Sequence, residues 1–269
     1  MRITPKNKGK SLFPQALARH RGWILLSSLL LFLVVWNLMT AVFKLPSFIL
    51  PTPLQVAART WKALQDGSLL YHTAATLLEV LLGMTFGISA ALILGYALAK
   101  SRLLENLLSP YVVASQAIPI VAIAPLLVIW FGPGLTSKVL ICALIVFFPV
   151  LVNTLVGLRS VPENLHDLML SMRASRRQVL RYLEVPAALP LVLGGLRIGA
   201  TLAVIGAVVG EFVGADRGLG FLINLARGQY DTALVFGTVF TLILLALVLY
   251  GLVAALERRY LKWQRPQKL

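Results

Sequence analysis

Thr136-Ser-Lys-Val-Leu-Ile-Cys-Ala-Leu-Ile-Val-Phe-Phe-Pro-Val-Leu-Val-Asn-Thr-Leu-Val-Gly-Leu158 is the stretch that decides the fold. Its one charged residue, Lys138, sits near its start. A helix rises about 1.5 Å per residue, so about 20 such residues cross a bilayer core of about 30 Å. Working outward, similar runs lie at Trp23–Val42, Ala74–Ala99, Tyr111–Phe131, Ala188–Gly210 and Ala233–Leu256. Together they predict an all-α polytopic membrane protein with six transmembrane helices. Pro119 and Pro125 interrupt the third run and Pro149 the fourth. Membrane helices tolerate proline where neighbours satisfy the freed carbonyls. Arg19 and Arg21 precede the first run, but that run is too long for a signal-peptide core, which spans about 7–15 residues.

Composition agrees. Of 269 residues, 58% are hydrophobic and only 13% charged, against about 25% charged in soluble domains. The net charge of +15 does not point to nucleic acid, because the basic residues cluster at span ends and in short connections. Eighteen of them precede the first span, follow the sixth, or lie in the second-to-third and fourth-to-fifth connections; six lie on the opposite side. The positive-inside rule then places both termini in the cytoplasm. The lone Cys142 excludes a disulfide framework, and His20, His72 and His166 stand apart, so no metal site is expected. The expected organisation is a tail over residues 1–22, a membrane domain over 23–256 with a cytoplasmic loop over 159–187, and a tail over 257–269. The longest outer connection, Lys44–Thr73, is too small for a binding domain of its own.

Small residues recur every four positions at Gly83, Gly87, Ala91 and Gly95, and at Gly195, Gly199, Gly206 and Gly210. That spacing puts them on one helix face, suited either to fixed packing within the chain or to a face that slides during a cycle. Glu79, Gln116, Asn153, Arg197 and Glu211 lie in or at the ends of spans, and are the candidates for a translocation path. Charges held in a membrane usually face protein or water. For Glu79 and Arg197 the alternative is packing or snorkelling at a span end.

The fourth-to-fifth connection begins Arg159-Ser-Val-Pro-Glu-Asn-Leu-His-Asp-Leu-Met-Leu-Ser-Met-Arg-Ala-Ser-Arg-Arg and ends Leu183-Glu-Val-Pro186. Pro162 followed by Glu163 is a helix start signal. It predicts an amphipathic helix from Glu163 to Met172, then a second stretch over Arg176–Leu183 leading to Pro186. Such a helix suits docking into a partner's groove, with a lipid surface as the competing reading.

At this point the chain resembles the permease subunits of bacterial ABC importers, of type I architecture. Their loop carries Glu-Ala-Ala, three residues, Gly, nine residues, Ile, one residue and Leu-Pro. Pro186 matches, with Val185 at the Leu position and Leu183 at the Ile position. Asp167 then stands for the Glu, Leu168 and Met169 for the alanines, and Arg173, followed by Ala174, for the Gly. Where that turn needs a positive φ, arginine is a poor choice; the alternatives are a different turn or a specialised docking. Gln116-Ala-Ile-Pro-Ile-Val-Ala-Ile-Ala-Pro-Leu-Leu-Val-Ile-Trp-Phe-Gly132 and Gly210-Glu-Phe-Val-Gly-Ala-Asp-Arg-Gly-Leu-Gly220 are similar to the branch handling nitrate, sulfonates and taurine. Within it, the chain looks closest to permeases for hydroxymethylpyrimidine or riboflavin.

The resemblance implies a non-enzymatic permease in the bacterial inner membrane that works as a homodimer, and the sequence leaves a heterodimer open. It also implies an ABC ATPase subunit that uses ATP and Mg, and a soluble or lipid-anchored substrate-binding protein. This chain has no Gly-x-x-x-x-Gly-Lys-Ser/Thr loop for ATP, so no bound cofactor is expected. An ion-coupled secondary transporter would show inverted repeats and midplane carboxylates, and neither is evident.

Overall fold

The computed structural model describes residues 15–261, and the ends of the two expected tails lie outside the described residues. The decisive run folds as α6, Leu135–Arg159. It is held between α3, Ser68–Lys100, and α9, Val185–Gly214. Lys138, Cys142, Val146, Val150 and Thr154 recur every fourth residue on α6 and are all buried. The small residues of the neighbours explain how three backbones come so close. A Cβ on Gly83 would lie 2.2 Å from that of Cys142, and one on Gly195 would lie 2.8 Å from that of Asn153. Both small-residue faces are thus in tight contact within the chain. Burial of such a seam in lipid gains packing rather than a hydrophobic term, which is why small side chains dominate it.

Around this triple layer run α1, Gln15–Val42; α2, Pro53–Gln65; α4, Arg102–Gln116; α5, Ile120–Phe131; α10, Leu219–Gly228; and α11, Thr232–Tyr260. Helices α3, α6 and α11 are long and apolar enough to cross a membrane, as is the continuous helical stretch Arg176–Gly214. Counting α4 with α5 as one broken pass gives five among the described residues, and the first expected span falls in α1, whose described apolar part, Leu26–Val42, is shorter.

Three elements differ from expectation. The third run is not one helix: α4 and α5 meet at 97°. Pro119 causes the break, since it stands in extended backbone at φ −64°, ψ 115° and disfavours helical geometry in the residue before it. Pro125 and Pro149, by contrast, are carried inside helices. The outer connection Lys44–Thr73 is not bare loop but contains α2. Its start was legible: Thr52 caps Gln55 N, Gln55 caps Thr52 N, and Pro53 occupies the first turn. Arg59 of α2 pairs with Asp231 at 2.6 Å, Trp36 Nε1 donates to Pro51 O at 3.0 Å, and Thr232 Oγ1 donates to Phe48 O at 2.6 Å. Between α2 and α3, Ser68 donates through both its hydroxyl and its N–H to Asp66, which holds that carboxyl below its ordinary range. Finally, Pro186 does not stop the fifth helix. A single π turn, Leu180–Glu184, joins α8, Arg176–Val179, to α9, so the helix runs on for 39 residues.

Candidate functional site

The connection between α6 and α9 folds as its sequence predicts. α7 spans Glu163–Ser171, directly after Pro162. Its end is a Schellman turn: Arg173 N donates to Leu170 O at 2.9 Å and Ala174 N to Met169 O at 3.0 Å. Arg173 occupies the left-handed position of that motif, at φ +55°. The turn is therefore the one that a glycine would suit, adopted by an arginine. Glu163, Asp167, Leu168, Met172 and Arg173 are exposed, while Met169, Ala174, Leu183 and Pro186 turn partly inward and Val185 stays exposed. Leu165, Leu168 and Met172, spaced three and four residues apart on one face, are 39%, 54% and 70% exposed and no other described residue covers them, while Leu170 points the other way and lines the cavity beneath α7.

Behind α7 the arrangement is ionic. Lys100, closing α3, donates to Glu184 Oε1, and His166 Nε2 lies 4.0 Å from the same oxygen. Arg159 at the end of α6 pairs with Glu105 at the start of α4. A cavity of about 490 Å³ opens between these elements, lined by Tyr96, Lys100, His166, Arg176 and Glu184 among others. Sequence reasoning missed Glu184 and His166 as partners, because 18 residues and a turn separate them; the pairing becomes visible only when α7 folds back on the π turn.

The candidate path residues fall in different places. Glu79 and Glu211 come together at the other end of the bundle, where Lys138 Nζ lies 3.7 Å from Glu79 Oε1. Thr76 Oγ1 donates to Glu211 at 2.6 Å and accepts from Leu219 N at 2.8 Å. Gly220 N also donates to Glu211, and Gly218 N to His72 Nδ1 at 3.1 Å. The glycine-rich segment after α9 is thus folded down onto α3. Lys138, Thr76 and His72 belong to this cluster and were not among the residues that the sequence offered for a path. Asn153 sits at the α6–α9 contact, donating to Pro149 O at 2.7 Å. Gln116 is exposed at the break between α4 and α5. Arg197 pairs with Glu257 in the last turn of α11 and stacks 5.3 Å over Tyr250. The long helix projects past the end of α11, so Arg197 lies level with a helix end.

Helices long and apolar enough to cross a bilayer, two of them joined through an amphipathic helix, define a polytopic membrane protein. The chain belongs to the family of binding-protein-dependent transport system inner membrane components, whose sequence profile matches residues 83–262. It is an ABC importer permease. It is 52% identical to the riboflavin transport system permease protein RibX of Chloroflexus aurantiacus, over 88% of each chain. It is 37% identical to the formylaminopyrimidine transport permease protein ThiX of Halalkalibacterium halodurans, over 88% of this chain and 94% of that one. Its fold matches a chain of the MetNI methionine ABC transporter with a TM-score of 0.65 at 19% identity, covering 73% of this chain and 97% of that one.

Proposed function

We propose that this permease carries riboflavin, or a ring of similar size and hydrogen-bonding edges, across the bacterial inner membrane. The observation that carries the substrate is the 52% identity, sustained over 88% of both chains, to a riboflavin permease. In this reading a substrate-binding protein, soluble or lipid-anchored, delivers the solute to the side of α2 and α10. Two copies of the chain form the path and two ATPase subunits bind the side of α7, consuming ATP and Mg. The α7 side is cytoplasmic, as are both termini, in line with eighteen basic residues against six. The exposed Leu165, Leu168 and Met172 supply an apolar contact for the ATPase, and Glu163, Asp167 and Arg173 surround it with charge. ATPase closure then moves α7 as a rigid body and switches the path between its two openings.

The test is uptake by proteoliposomes holding the permease, its ATPase and its binding protein. ATP-dependent accumulation of labelled riboflavin, resisted by excess taurine and nitrate, is the expected result. Accumulation of taurine or of a formylaminopyrimidine in place of riboflavin would overturn the substrate. Replacing Leu165, Leu168 and Met172 together by serine should abolish copurification of the ATPase without loss of the permease from the membrane.

A further inference from the structure

We propose that Glu184 is the joint that passes movement of α7 to α3 and α9, a positioning residue for transport; this rests on α7 being the ATPase contact. Its carboxylate is 2% exposed although it lies in the projecting part of the long helix. Two neighbours on separate elements meet at one of its oxygens: Lys100 at the end of α3 and His166 in α7. No other acidic side chain among the described residues is shared in this way between α3 and α7.

The backbone is arranged for it. In the turn Leu180–Glu184 the N–H of Val185 reaches back five residues to Leu180 O. That widened register leaves Arg181 and Tyr182 exposed and turns Glu184 inward. Single π turns inside α-helices recur where a side chain must be aimed at a functional place. Pro186 lies just beyond and lacks an N–H, so the ladder is already interrupted there.

The joint also has a second arrangement available. Glu184 Oε2 is buried without a hydrogen-bond partner, a costly condition for a carboxylate oxygen. The cavity of about 490 Å³ beside it is lined by His166 and Arg176, both donors. Movement of α7 into that cavity brings one of them to Oε2 and changes the His166 contact at Oε1. Lys100 holds the other oxygen throughout, so α3 follows. Coupling through a side chain with two alternative sets of partners is what a switching element requires.

The experiment uses the complete transporter in proteoliposomes. Glu184→Gln is expected to lower ATP-driven uptake at least tenfold. ATP hydrolysis is expected to continue but no longer to rise when loaded binding protein is added, with the ATPase still copurifying. Glu184→Asp is expected to recover several-fold of the lost uptake. Unchanged uptake in Glu184→Gln, or loss of uptake together with loss of the ATPase, overturns the joint. Should Glu184→Gln fail to insert, Lys100→Met reads the same response from a half-exposed position. Failure of the underlying docking is seen separately, as an ATPase that still copurifies when the exposed face of α7 is replaced by serine.

Discussion

The two ends of the helix bundle are built on opposite plans. Where α9 passes into α10, the chain closes on itself. Glu211, Glu79, Lys138 and Thr76 are each no more than 1% exposed, and backbone N–H groups of Gly218, Leu219 and Gly220 are all taken by side chains of α3 and α9. Where α6 passes into α7, apolar side chains face outward and a cavity of about 490 Å³ lies beneath. The first end is a clamp that fixes three helices relative to one another. The second leaves room and an uncovered apolar face, which is how a movable contact differs from a structural one.

The largest expected effect breaks the clamp at its only lysine. Lys138→Met leaves Glu79 buried beside Glu211 with no cation in contact, and breaking a buried pair costs about 3–5 kcal/mol. At about 2–4 °C per kcal/mol for a chain of this size, thermal unfolding in detergent should fall by roughly 10 °C. Adding Glu79→Gln to the same chain should recover most of that. A Tm unmoved by Lys138→Met would show that this end is no clamp.

Gly218→Ala comes next. Gly218 sits at φ +110°, and a Cβ there would lie 2.2 Å from the carboxyl carbon of Glu211. Strain and overpacking together should cost about 2–4 kcal/mol. Gly228→Ala, where a Cβ meets open space, is the control and should move Tm by less than about 1 kcal/mol equivalent. Equal Tm values for the two variants would remove the contrast between a packed and a free glycine.

What the sequence disclosed divides along the same line. The apolar runs, the α7 helix and the register that set Arg173 in the glycine position were readable, because each rests on local composition or spacing. The break at Pro119 was not, since Pro110, Pro125, Pro149 and Pro190 sit inside helices that continue. Whether a proline breaks a helix depends on what satisfies the freed carbonyl, and that is tertiary. The clamp was equally hidden: Thr76 and Glu211 are 135 residues apart. Glu79 and Glu211 were visible only as costly charges in need of partners, and the partners came from other helices.

The smallest effect concerns the movable end, where the family glycine is Arg173. Its φ of +55° costs an L-residue about 1 kcal/mol or more, which Arg173→Gly removes. Glycine returns about 0.5–1 kcal/mol of that through its freer unfolded chain. The two nearly cancel, so Tm should shift by no more than about 1 kcal/mol equivalent, and uptake should stay within twofold. Arg173→Val gains no such relief, because a β-branched residue is still less suited to a positive φ. It should loosen the turn, and amide exchange at Ala174, whose N–H closes the turn on Met169, should quicken. If Val is tolerated as well as Gly, the turn does not hold α7 in place, and the α7 end is looser than the contrast with the clamp requires. If Gly instead raises Tm by several degrees, the arginine is being kept against stability, which would point to its guanidinium as part of the exposed contact face.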